Sequence, residues 1–66
     1  MEHYTANELS EALRALESTT RKCEKVLPKL QAGTSQHTLL IRRIKALEIS
    51  MALIRRELDA PQTEAE

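Results

Sequence analysis

Residues 39–58, LLIRRIKALEISMALIRREL, decide the fold of this chain. Their apolar side chains Leu40, Ile44, Leu47, Met51, Ile54 and Leu58 follow one another at spacings of 4, 3, 4, 3 and 4 residues. This is an unbroken heptad seam, and it predicts a helix lying along another helix. The remainder of the chain reads as the partner of that helix.

Upstream, Leu9, Leu13, Leu16, Thr20, Cys23, Leu27 and Leu30 recur at spacings of 4, 3, 4, 3, 4 and 3, the same register turn for turn. Ala12, Thr19 and Val26 flank this first seam and widen the apolar stripe, while Glu11, Arg14, Ser18, Arg21, Lys25 and Lys29 take the opposite face. The run Thr5-Ala6-Asn7-Glu8 reads as a capping box that starts the helix, with Asn7 as an alternative cap. Pro28 removes a backbone donor near the helix end. Because the seam runs through Leu30 in unchanged phase, the expectation is a helix kinked at Pro28 and continuing to about residue 32. Gly33, the only glycine, sits where a left-handed C-terminal cap would be needed. Thr34 or Ser35 can then cap the next helix.

So short a connection forces two neighbouring antiparallel helices. The expected fold is all-α, an antiparallel two-helix hairpin. It occupies one domain over residues 1–59, with helix 1 at about 6–32, a turn at 33–35 and helix 2 at about 36–59. A polar, acidic tail over residues 60–66 is expected to fray.

Composition agrees. Sixty-six residues allow one small domain. With one Tyr and no Trp or Phe, the core must come from Leu, Ile, Val, Met and Ala. A single Cys excludes an intrachain disulfide and a Cys-based zinc cluster. The first residues, MEHYTANE, carry no secretory signal, and the longest purely apolar run is the four residues Met51–Ile54. A cytoplasmic protein without a membrane partner is expected.

The second helix carries more apolar surface than one contact uses. Leu39, Ala46 and Leu53 recur every seven residues beside its seam, and Ser50 keeps that flank small. Together with the seam they span an arc of about 180°, against the ~100° that one packing contact needs. Ile41 and Ile49 lie outside even this arc. A lone two-helix unit is also near the limit of independent stability. The expected assembly is therefore a homodimer forming an antiparallel four-helix bundle. A different protein supplying the missing helices is the alternative. The residues expected to build core and self-association surface are Leu9, Leu13, Leu16, Cys23, Leu27, Leu30, Leu39, Leu40, Ile44, Leu47, Met51, Leu53, Ile54 and Leu58. Thr20 and Cys23 form a small, partly polar layer expected to accommodate Leu47 or Ile44, with Cys23 acting as a small buried hydrophobe.

The formal charge is zero, yet unevenly spread: residues 1–20 carry a net of −3, residues 21–45 +6, and residues 46–66 −3. A hairpin gathers the basic segment at its turn end and the acidic segments at the other. One reading is a phosphate- or partner-binding tip built from Lys25, Lys29, Gln36, His37, Arg42 and Arg43. The favoured reading is complementary association between hairpins, since single-strand binders add stacking aromatics that are missing here. Arg43, at the edge of the apolar arc, is the expected donor of a salt bridge across the seam.

No catalytic constellation emerges. There is no glycine-rich phosphate loop, and no carboxylate stands near Ser35 and His37 in sequence. Cys23, Glu24 and His37 lack a sound fourth metal ligand. The expected function is a small non-enzymatic interaction module, of adaptor or regulatory-subunit type, needing no cofactor or metal. The runner-up is a nucleic-acid-binding accessory protein using the basic tip.

Overall fold

The computed structural model describes residues 3–60. Two helices run antiparallel: α1 over Ala6–Val26 and α2 over Ser35–Asp59, joined through a 3-10 turn at Leu27–Lys29. Among the described residues there is no strand. The hairpin is a rod of 51 × 18 × 17 Å.

Local chemistry sets each helix end. Thr5, in extended conformation, accepts the Glu8 backbone N–H at 3.0 Å, and the Glu8 carboxylate accepts the Thr5 N–H at 2.9 Å. The capping box is therefore complete, and Thr5 rather than Asn7 is the cap. Thr34 caps α2 by accepting the His37 N–H at 3.1 Å, and its hydroxyl donates to the Gln31 carbonyl at 2.8 Å. One side chain thus starts α2 and fastens the preceding turn to it. At the far end the Ala60 N–H donates to the carbonyls of Arg56 and Glu57, closing α2.

Helix 1 does not continue as a kinked α-helix to residue 32. The α-helical path stops at Val26, tightens into the 3-10 turn that carries Pro28, and becomes extended at Leu30 (φ −94°, ψ 147°). Proline has no N–H to give to the carbonyl one turn back, and its ring crowds that carbonyl. Leu27 still donates to Cys23, and Leu30 closes the 3-10 turn by donating to Leu27 at 3.1 Å. Leu27 and Leu30 nevertheless stay half-buried, so the apolar phase persists where the helix does not.

Gly33 has φ +90°, but its place differs from the expected helix cap. It sits inside the turn from Gln31 to Thr34, whose N–H returns to the Gln31 carbonyl at 3.3 Å. Only this position of the described chain needs a left-handed backbone.

The two seams meet as their register requires. Thr20, Ile44 and Met51 are buried, and the remaining seam residues of both helices are half-buried. No side chain among the described residues is fully shielded. Thr20 is accommodated because its hydroxyl donates to the Leu16 carbonyl at 2.8 Å, within its own helix. Across from Thr20 lies Met51, whose sulfur is 4.0 Å from the Thr20 hydroxyl. A flexible thioether fits such an irregular layer. Among the described residues no helix is long and apolar enough to cross a membrane. Residues 61–66 of the acidic tail lie outside the described residues.

Two substitutions test this account by urea unfolding. Met51→Ala should cost about 2–3 kcal/mol, the low end for methionine truncation, because its surroundings are only partly closed. Gly33→Ala should cost about 1 kcal/mol through backbone strain alone, since an added Cβ meets nothing within 4 Å. A neutral Gly33→Ala would contradict the left-handed turn.

Candidate functional site

The hairpin has two broad sides, and they differ in chemistry. At about 100° per residue, the residues following seam positions fall on one side of a helix and those preceding them on the other. Glu17 follows Leu16, and Arg55 follows Ile54. Their side chains pair across the helices at 3.0 Å, which fixes the following residues of α1 and α2 on a shared side. In an antiparallel pair the preceding residues must then share the opposite side.

The Glu17–Arg55 side is charged. It carries Arg14, Glu17, Arg21 and Glu24 from α1, and Lys45, Glu48, Arg55 and Asp59 from α2, with Ile41 as its one large apolar residue. The opposite side is apolar or small through its centre. It carries Ala12, Ala15, Thr19 and Val26 from α1, and Leu39, Ala46, Ser50 and Leu53 from α2, with Lys22 and Arg43 among them and Glu8 and Glu57 toward the open end. In the hairpin Val26, Leu39 and Leu53 are 43%, 48% and 54% exposed, which is far too much for core residues. Leu39 and Leu53, expected in core or self-association surface, thus take no part in the intrachain core. Ile49, 51% exposed, extends the apolar surface onto the back of α2.

The expected cross-seam bridge of Arg43 does not form. Arg43 precedes Ile44 and so lies on the apolar side, where α1 offers Ala12, Thr19 and Val26 and no acid opposite it. Glu17–Arg55 is the ion pair of the described residues instead. Its signal was present in the sequence: an acid and a base each one residue beyond a seam position, at matching height. Both partners are substantially exposed, so the pair contributes at most about 1 kcal/mol.

The predicted tip residues are not gathered into one site. Gln36 and Arg42 line an open recess with Gly33, Ser35, Thr38 and Leu39. His37 is half-buried at the seam position one turn before Leu40 and does not line the recess. Lys25 and Lys29 are exposed on the α1 side of the turn, and Arg43 is exposed on the opposite flank of α2 from Lys45. Cys23 is a free, half-buried thiol in the seam. Among the described residues no three His, Cys, Asp or Glu side chains are grouped to hold a metal ion.

No family model, curated protein or solved structure matches this chain. The candidate surface rests on the hairpin's own chemistry.

The Glu17–Arg55 pair yields a measurable expectation. Arg55→Ala should lower stability by less than about 1 kcal/mol, and 1 M salt should abolish the difference from the parent protein. A loss above ~2 kcal/mol that persisted in salt would mean that the arginine stem, not the charge pair, holds the helices.

Proposed function

We propose that this chain is a small non-enzymatic protein–protein interaction module that works as a self-associated unit, two hairpins forming a four-helix bundle. The observation that carries this reading is the side bearing Val26, Leu39 and Leu53, three large aliphatic residues left about half exposed along one face. Leaving apolar area in water costs about 25 cal/mol per Å². The hairpin has few other reserves, with only three described residues classed as buried. Closed two-fold dimers are the commonest way for a small chain to cover such a face. A cytoplasmic role of adaptor or regulatory-subunit type fits a module with one surface used for assembly and others left for a partner.

Sedimentation equilibrium tests the reading. The parent chain should run as a dimer at micromolar concentration, while Leu39→Glu/Leu53→Glu should run as a monomer of reduced helicity. Both positions are exposed in the hairpin, so the charges meet no intrachain core. A parent chain that stays monomeric, or a double variant that still dimerises, would remove the proposal.

The second reading rests on Lys25, Lys29, Arg42 and Arg43, exposed at the turn end without an ion-pair partner among the described residues. As a nucleic-acid-binding accessory protein, the chain would bind random RNA or duplex DNA at low salt. Affinity would then fall steeply as salt is added. Absence of binding at low salt discards this second reading.

A further inference from the structure

We infer that the second copy of this chain docks on the Leu39–Ala46–Leu53 side in one orientation, with α2 stacked on α2 of the partner subunit and the two turns at opposite ends. This rests on the self-association proposed above and adds its face and direction. The face is large enough. Helix α2, with 25 residues, is about 37 Å long. With a rod width of 18 Å the side spans roughly 650 Å² in projection, comparable to the ~800 Å² that each partner contributes to a stable interface. Its centre is built for close approach, since Ala15, Thr19, Ala46 and Ser50 are all small.

Two hairpins stacked face to face by a two-fold axis have two choices. An axis along the helices puts both turns at one end and lays α1 over α2 of the partner subunit. An axis across the helices puts the turns at opposite ends and lays each helix on its own counterpart. Both give bundles of antiparallel neighbours, so packing class alone does not choose between them.

Charge on the face itself does. Toward the turn it carries Arg43, toward the open end it carries Glu8 and Glu57, and Lys22 stands level with Ser50 near the middle. All four are exposed. With the turns together, Arg43 of both copies lies at one end and the glutamates of both at the other. With the turns apart, Arg43 lies toward Glu57 of the partner subunit. Like charges brought together oppose association, and complementary ones fix its direction. The charged side, where Glu17 already engages Arg55, then stays in water.

Cysteine cross-linking reads this directly. Cys23→Ser removes the native thiol, and Ala46→Cys, Ser50→Cys or Leu53→Cys is then added singly, with Glu48→Cys on the charged side as control. Under mild oxidation, with the mass measured in parallel, at least one of the three should form a covalent dimer several-fold more completely than Glu48→Cys. The axis across the helices brings this stretch of α2 against itself. A dimer in which none of the three links would overturn this orientation while leaving self-association intact. Linking at Glu48→Cys as complete as on the stripe would overturn the choice of side. A monomer in every case would remove the inference and the reading beneath it.

Discussion

Two helices can cover only one stripe of each other, and in this chain one of them carries two. The seam of α1 and the seam of α2 share one register, which accounts for the half-buried interior around Thr20, Ile44 and Met51. Leu39, Ala46, Ile49 and Leu53 belong to no such pairing. Everything proposed about function follows from this mismatch between the area α2 presents and the area α1 can hide.

The ends of the helices are what make the sides of the hairpin definite. The Thr5–Glu8 box fixes where α1 begins, and Thr34 fixes both the start of α2 and its attachment to the turn. Pro28 ends the α-helical path so that the backbone becomes extended at Leu30, and Gly33 supplies the left-handed residue that reverses the chain. With those points set, Thr20 meets Met51 and Glu17 meets Arg55. The register between the helices then places every flank residue on one of two sides, one mostly charged and one mostly apolar or small. Local turn chemistry in this way decides which residues share a face.

Much of this was legible in the sequence because heptad spacing is a long-range signal repeated over several turns. The antiparallel hairpin, the capping box at Thr5 and the exposed character of the second stripe could be read from residue type and spacing. What escaped was local. The phase of Leu27 and Leu30 argued for an unbroken helix, yet phase survives a 3-10 turn, and proline chemistry prevailed at the backbone. Gly33 has the left-handed backbone its residue type indicates, but in the turn beyond the helix and not at its cap, because α1 ends at Val26. The edge position of Arg43 points to a cross-helix bridge that Arg55 makes instead, because the seam of one helix does not reveal which side of the other it faces. That sidedness appears only when the two helices are set in register. The dispersal of Gln36, His37, Arg42 and Arg43 around the start of α2 has the same origin: neighbours in sequence point about 100° apart on a helix.

If two hairpins form the folded unit, as proposed, folding of the hairpin and its association are one equilibrium. Its most direct test is the thermal midpoint of the parent chain, followed by circular dichroism across a hundredfold range of protein concentration. Linkage requires the midpoint to rise steadily with concentration if the folded unit is a dimer. A midpoint that stays constant over the whole range would show that a single hairpin folds by itself, and would contradict the account.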